Sequence, residues 1–218
     1  MKKLTLSQRR LGAWAGIIAP ALFVAVFTIE GALRPGYDPL STYVSALSLG
    51  PRGWIQIVNF IILGALLLVF TRGVADTFQT GKAARGGPIL LGIIAILFIL
   101  SGPLVMDPMG TPLGQTTVHG TIHGLAGGII FILMPISCFV FLRRFRLEPQ
   151  WQALRWQTLA LGVIVAAAVL LLTITSKLPN LQIVFKDWLG LIQRTIIVPY
   201  MLWLFLFALG LRRQIEQG

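Results

Sequence analysis

Six stretches of the chain are almost wholly apolar, near residues 12–33, 54–75, 87–105, 118–142, 157–176 and 190–211. Each is close to the ~20 residues an α-helix needs to cross ~30 Å of hydrocarbon. Turn formers stand between them: Pro35-Gly36, Gly50-Pro51, Gly86-Gly87-Pro88, Asp107-Pro108 and Pro179-Asn180. The pattern predicts an all-α fold, a polytopic membrane protein built as a six-transmembrane-helix bundle. Residues 1–218 form a single transmembrane domain, because the connections are too short to hold a separate soluble one. The apolar stretch behind Lys2, Lys3, Arg9 and Arg10 runs to about Leu33, well past the ~7–15 residues of a signal-peptide core, so it is expected to stay as the first helix.

Lys and Arg set the expected orientation. The N-terminus, the second and fourth connections and the C-terminus hold 13 of the 18 basic residues, against Asp76, Glu148 and Glu216. The opposite face holds Arg34, Arg52, Lys177, Lys186 and Arg194, against Glu30, Asp38, Asp107 and Asp187. The richer face is expected in the cytoplasm with both termini. A formal charge of +11 would suit a nucleic-acid binder, but its segregation to one face is what membrane topology requires, so no nucleic-acid partner is expected. Composition agrees, with 56% hydrophobic and 11% charged residues, against about 25% charged in soluble domains. The single cysteine, Cys138, lies inside an apolar run and reads as a buried small hydrophobe.

The polar residues of interest gather on the less basic face. Asp38-Pro39 is a good helix start, a capping carboxylate followed by proline at the first helical position. From there Leu40, Val44 and Leu47 fall on one side and Ser41, Ser45 and Ser48 on another. A short amphipathic helix at the membrane interface is expected in this first outer loop.

His119 and His123, the only histidines, open the fourth apolar run at i, i+4, which puts both rings on one helical face. That spacing suits a shared metal ion, with zinc the candidate cofactor, and suits equally a proton relay or a hydrogen-bonded ligand. Asp107, the nearest carboxylate in sequence, or Asp38 is the candidate third ligand or general base. Beside the histidines, Gly120, Gly124 and Gly128 form a small-residue seam that predicts close approach of a neighbouring helix. Glu30 stands four residues before Arg34, the spacing of a helical ion pair. Asn59 lies within the second run, where it can bridge helices or touch a substrate. Arg194 suits either snorkelling to the interface or holding an anionic group in its planar donor fork. Gly-x-Ser-x-Gly, P-loop and dinucleotide glycine patterns are absent.

The stretches Arg34-Pro35-Gly36-Tyr37-Asp38-Pro39-Leu40-Ser41-Thr42-Tyr43-Val44-Ser45, His119-Gly120-x-x-His123 and Gly190-Leu191-Ile192-Gln193-Arg194 resemble the family called domain of unknown function 998. That resemblance implies a small six-span protein of a bacterial or archaeal cytoplasmic membrane, with a polar cluster at the outer face. A looser likeness, to membrane hydrolases that gather Ser, Asp and His around zinc, departs from this chain in span number and histidine count.

Three functional readings follow from the residues. The first is a metal-dependent hydrolase acting on a lipid or amphipathic substrate. In it His119, His123 and Asp107 hold the metal, Asp38, Ser41, Ser45 and Asp107 serve catalysis, and Arg194 and Asn59 contact substrate. The second is a non-enzymatic binder or transporter of a lipid or small molecule. The third is a structural partner assembled through the glycine seam. Membrane lipids are the expected partners in each.

Overall fold

A computed structural model describes residues 3–80 and 85–217. Lys2 and Lys82, two of the basic residues used for orientation, lie outside the described residues. The long helices are α1 (Leu6–Leu33), α2 (Gly53–Thr77), α3 (Gly86–Ser101), α4 (Val118–Leu147), α5 (Arg155–Lys177) and α7 (Leu189–Gln217). A short helix, α6 (Pro179–Phe185), precedes the last of them. Five apolar helices exceed 18 residues, and Gly86–Ser101 is a shorter sixth. Their outward side chains are large and apolar, among them Ile18, Leu22, Ile61, Ile96, Ile132 and Leu170. Such a surface is mismatched to water and matched to acyl chains. The chain is a multi-pass, all-helical membrane protein.

Local chemistry fixes the ends. Thr5 and Gln8 make a reciprocal capping box at the start of α1. Thr117 caps α4, its hydroxyl accepting from the Gly120 N–H at 3.0 Å. Arg144 and Arg146 occupy the last turn of α4, where exposed carbonyls favour cations.

The helices close a ring in the order α1, α2, α3, α4, α5, α7 and back to α1. Between helices the bilayer supplies no hydrophobic drive, so close backbone approach and dispersion carry the packing. The tight seams are at Gly12 against Gly73, where an added Cβ would meet the facing Cα at 3.2 Å, and at Gly64, where it would meet the Ala95 carbonyl at 2.4 Å.

Two aromatic clusters fill the ring. Toward the basic end Phe207 packs against Phe70, Phe78, Phe141, Phe145, Trp151 and Trp203, with centroids 4.8–6.1 Å apart. Nearer the opposite end Phe23, Phe27, Phe60 and Phe98 form a smaller cluster. At mid-depth Ser137 and Tyr200 share a hydrogen bond of 3.0 Å, one of few direct links between α4 and α7. The ring is therefore solid toward the basic end and loosely filled between α4 and α7 at the other.

Candidate functional site

The end opposite the basic residues carries the connections 34–52, 102–117 and 178–188, and the first is clasped to the bundle by three arginines. Glu30, only 3% exposed, accepts from both nitrogens of the Arg34 fork at 3.2 and 2.8 Å and from Arg52 at 3.0 and 2.6 Å. Arg34 also donates to the Leu49 carbonyl at 2.9 Å. One buried carboxylate thus ties both ends of the connection together, a geometry that offsets its own desolvation.

The second clasp comes from the start of α7. Arg194 donates to the carbonyls of Pro39 (2.7 Å), Thr42 (2.9 Å) and Gly190 (3.0 Å), and to the Tyr37 hydroxyl. The Val44 N–H donates to Gln193 at 2.7 Å, and the Leu191 N–H to the Leu40 carbonyl at 2.8 Å. Gly190 lets the backbones meet, since a Cβ there would lie 2.5 Å from the Thr42 carbonyl oxygen. Burial of Tyr37 pushes its phenol above the usual range, keeping it a neutral donor to the Thr42 and Tyr43 carbonyls. The fork of Arg194 is therefore occupied by the protein itself, Nη1 by backbone carbonyls and Nη2 by Tyr37.

The expected helix from Asp38 is replaced by a single turn, Asp38 to Thr42, followed by a 3-10 segment, Val44–Ser48. Asp38 does cap: it accepts from the Leu40 N–H at 3.0 Å and the Ser41 hydroxyl at 2.7 Å. The Leu40 and Ser41 bonds hold its carboxyl below the ordinary value of 3.8. Val44 and Leu47 are buried in the core, because the clasp of Arg194 and Gln193 draws the segment into the bundle.

The histidines part company. His119 is exposed. His123 is buried and its Nδ1 pairs with the Leu104 carbonyl at 2.7 Å. A carbonyl only accepts, so Nδ1 carries the proton, and the ring satisfies a carbonyl left over just past the end of α3. Asp107 is committed elsewhere. It accepts from the Thr117 N–H at 2.9 Å and the Thr117 hydroxyl at 2.8 Å, and lies so close to Gly120 that a Cβ there would sit 2.0 Å from Oδ2. Among the described residues no group of three or more His, Cys, Asp or Glu side chains could hold a metal ion. The expected set of His119, His123 and Asp107 is not assembled, because one ring is exposed and the other buried against Leu104, and the carboxylate is held by Thr117, the residue that caps their helix. Asn59 is buried and donates to the Phe23 carbonyl and to Gln56, each at 3.2 Å, bridging α1 and α2.

The glycines hold the other correction. Gly120 packs on Asp107, but a Cβ added at Gly124, Gly127 or Gly128 would meet nothing within 4 Å. Among the described residues no helix fills that face. It opens on a crevice of about 760 Å³, within the ~300–1,000 Å³ of small-molecule sites. Phe23, Phe60, Phe98, Ile130, Leu172 and Ile197 give its apolar walls. Ser45, Asp107 and His123 line it, whereas Asp38, Ser41, Asn59, His119 and Arg194 do not. Lys177, Gln182 and Lys186 also border it, and the reading of the sequence did not single them out as site residues. The two lysines were visible in the sequence as outer-face basic residues, whereas nothing there marked Gln182.

A family model described as "Protein of unknown function (DUF998)" matches residues 17–210. No curated protein and no solved structure matches the chain. With nearly the whole length matched, and with the 34–45 and 190–194 stretches joined by the Arg194 clasp, this chain belongs to the DUF998 family.

Proposed function

We propose that this protein binds an amphipathic molecule in the crevice between α4 and α7, as a non-enzymatic binder or carrier rather than a metal-dependent hydrolase. In this reading α3 is a sixth span, the termini are cytoplasmic, and the crevice faces outward in a prokaryotic cytoplasmic membrane. At ~1.5 Å per residue, the 16 residues of α3 give ~24 Å, and the turn at Gly102–Leu104 extends the crossing toward the ~30 Å of hydrocarbon.

The observation that carries the reading is the open glycine face of α4. Helix-lining glycines in membrane bundles ordinarily let another helix approach. Here Gly124, Gly127 and Gly128 face open space beside an aromatic wall. The missing side chains make room, and the walls offer apolar contact to a chain that occupies it. The polar groups sit at the other end of the space, so one ligand meets both environments. Hydrolysis finds less support, since Ser41 and Asp38 bond each other away from the crevice and Asp107 is bonded to Thr117.

Filling the crevice tests this. Gly124→Leu/Gly128→Leu places each new Cβ where no atom stands within 4 Å, with the crevice beyond it, so the protein is expected to fold. Lipid or other amphiphile retained through purification should fall at least severalfold relative to the parent, as measured by mass spectrometry. Retention unchanged by the filling variant refutes the proposal.

A further inference from the structure

The basic residues of the crevice end can be accounted for one by one. Arg34 and Arg52 are held by Glu30. Arg194 is held by three backbone carbonyls and Tyr37. Lys177 and Lys186 remain. Both are exposed, neither forms a salt bridge among the described residues, and both line the crevice. Lys177 closes the last turn of α5 and Lys186 follows α6, so the short helix α6 sets them on one margin with Gln182 between them in sequence.

The acids of this end do not neutralise that margin. Glu30 and Asp38 are engaged by the first connection and do not line the crevice, and Asp187 does not line it either. Asp107 does, with both its oxygens bonded to Thr117, and its single formal negative charge is outnumbered by the two lysines, so the lining stays net positive. The crevice thus pairs apolar walls with two uncommitted ammonium groups at its mouth. Ammonium groups on flexible stems attract phosphate or carboxylate as mobile point charges, without the fixed fork of arginine.

Resting on the crevice as an amphiphile site, we infer that its ligand is an amphiphile with an anionic head group, which Lys177 and Lys186 bind while the apolar portion lies along the glycine face of α4. The shared chemistry is an anion joined to a hydrocarbon chain.

The test compares phosphatidylglycerol and phosphatidylcholine of identical acyl chains, titrated against the full-length protein in neutral detergent. Inorganic phosphate is the third probe. The parent should prefer phosphatidylglycerol by ~10-fold or more, from two lysines acting near a surface. Lys177→Gln/Lys186→Gln should remove that preference and leave phosphatidylcholine binding within about twofold, which also reports that the variant is folded. Inorganic phosphate should not compete at equal concentration.

Equal affinity for the two lipids in the parent, with both lost in Gly124→Leu/Gly128→Leu, overturns the head-group inference and leaves the crevice reading standing. Binding of both lipids unaffected by the filling variant overturns both. Inorganic phosphate that binds through the two lysines as tightly as phosphatidylglycerol overturns the amphiphile and makes the site one for a free anion.

Discussion

Replacing Arg194 with alanine should free the 37–47 segment from the bundle. Nη1 shares its two hydrogens among three carbonyls and Nη2 donates to a hydroxyl, all from a guanidinium that is half-buried. A hydrogen bond involving a charged group contributes ~1.5–3 kcal/mol when buried, and less where the freed carbonyls can find water. Taking about 1 kcal/mol for each of the two Nη1 hydrogens shared among the three carbonyls and about 1 kcal/mol for the Nη2 bond to Tyr37, the clasp contributes roughly 2–4 kcal/mol to closure of the segment. Two amides report on it directly, the Val44 N–H bonded to Gln193 and the Leu191 N–H bonded to the Leu40 carbonyl. If both exchange through local opening, Arg194→Ala should speed them by roughly 30- to 1,000-fold. Arg194→Lys keeps the charge but not the fork, and should fall between parent and alanine variant. Amide exchange by mass spectrometry at the peptide level is sufficient. Exchange unchanged to within about threefold in Arg194→Ala, or a lysine variant indistinguishable from the parent, would refute the clasp.

Three further outcomes follow from the same geometry. Glu30→Gln should cost about 2–3 kcal/mol, because it leaves two arginines facing an amide, whereas Arg52→Gln should cost clearly less because that side chain is 48% exposed; thermal unfolding in detergent distinguishes them. His123→Ala should cost about 1–3 kcal/mol by stranding the Leu104 carbonyl and opening a gap beside Phe60, while exposed His119→Ala stays within ~0.5 kcal/mol; equal loss of tightly bound zinc in both would instead revive the shared-metal arrangement. Asp38 has a folded carboxyl value below its ordinary 3.8, so its contribution is complete above that value and disappears as pH falls through the lower folded one; the effect of Asp38→Asn on exchange at Ser41 and Thr42 should therefore be present at neutral pH and vanish in strong acid.

How much of this was legible in the sequence depended on the range of each interaction. The apolar runs mark the long helices because crossing a bilayer is a property of a contiguous segment. The Glu30–Arg34 pair and the Asp38 cap were readable for the same reason, each being settled within four residues. Asn59 as a bridge between helices was legible in kind, since a buried amide within a bundle must find a partner, although the Phe23 carbonyl was not nameable. Longer-range matters escaped. Arg194 offers the same donor fork to a lipid phosphate and to the carbonyls of a loop 152 and 155 residues away, and only the fold decides. The glycines of α4 have the spacing of a packing seam, but spacing does not reveal whether a helix arrives, and among the described residues none does at Gly124, Gly127 and Gly128. His119 and His123 share a helical face in the one-dimensional pattern, yet α3 ends beside one ring and not the other.

The account rests on an occupied crevice, and a photoreactive phenylalanine analogue at Phe131 tests it most directly. Phe131 lines the crevice, whereas neighbouring Ile132 is 57% exposed and faces outward. Irradiated in native membranes, the probe at 131 should capture an amphiphile enriched in anionic species relative to the bulk lipid captured from 132. Identical lipid adducts from the two positions, or only adducts to the protein's own helices at 131, would show that no selective ligand enters and would contradict the account.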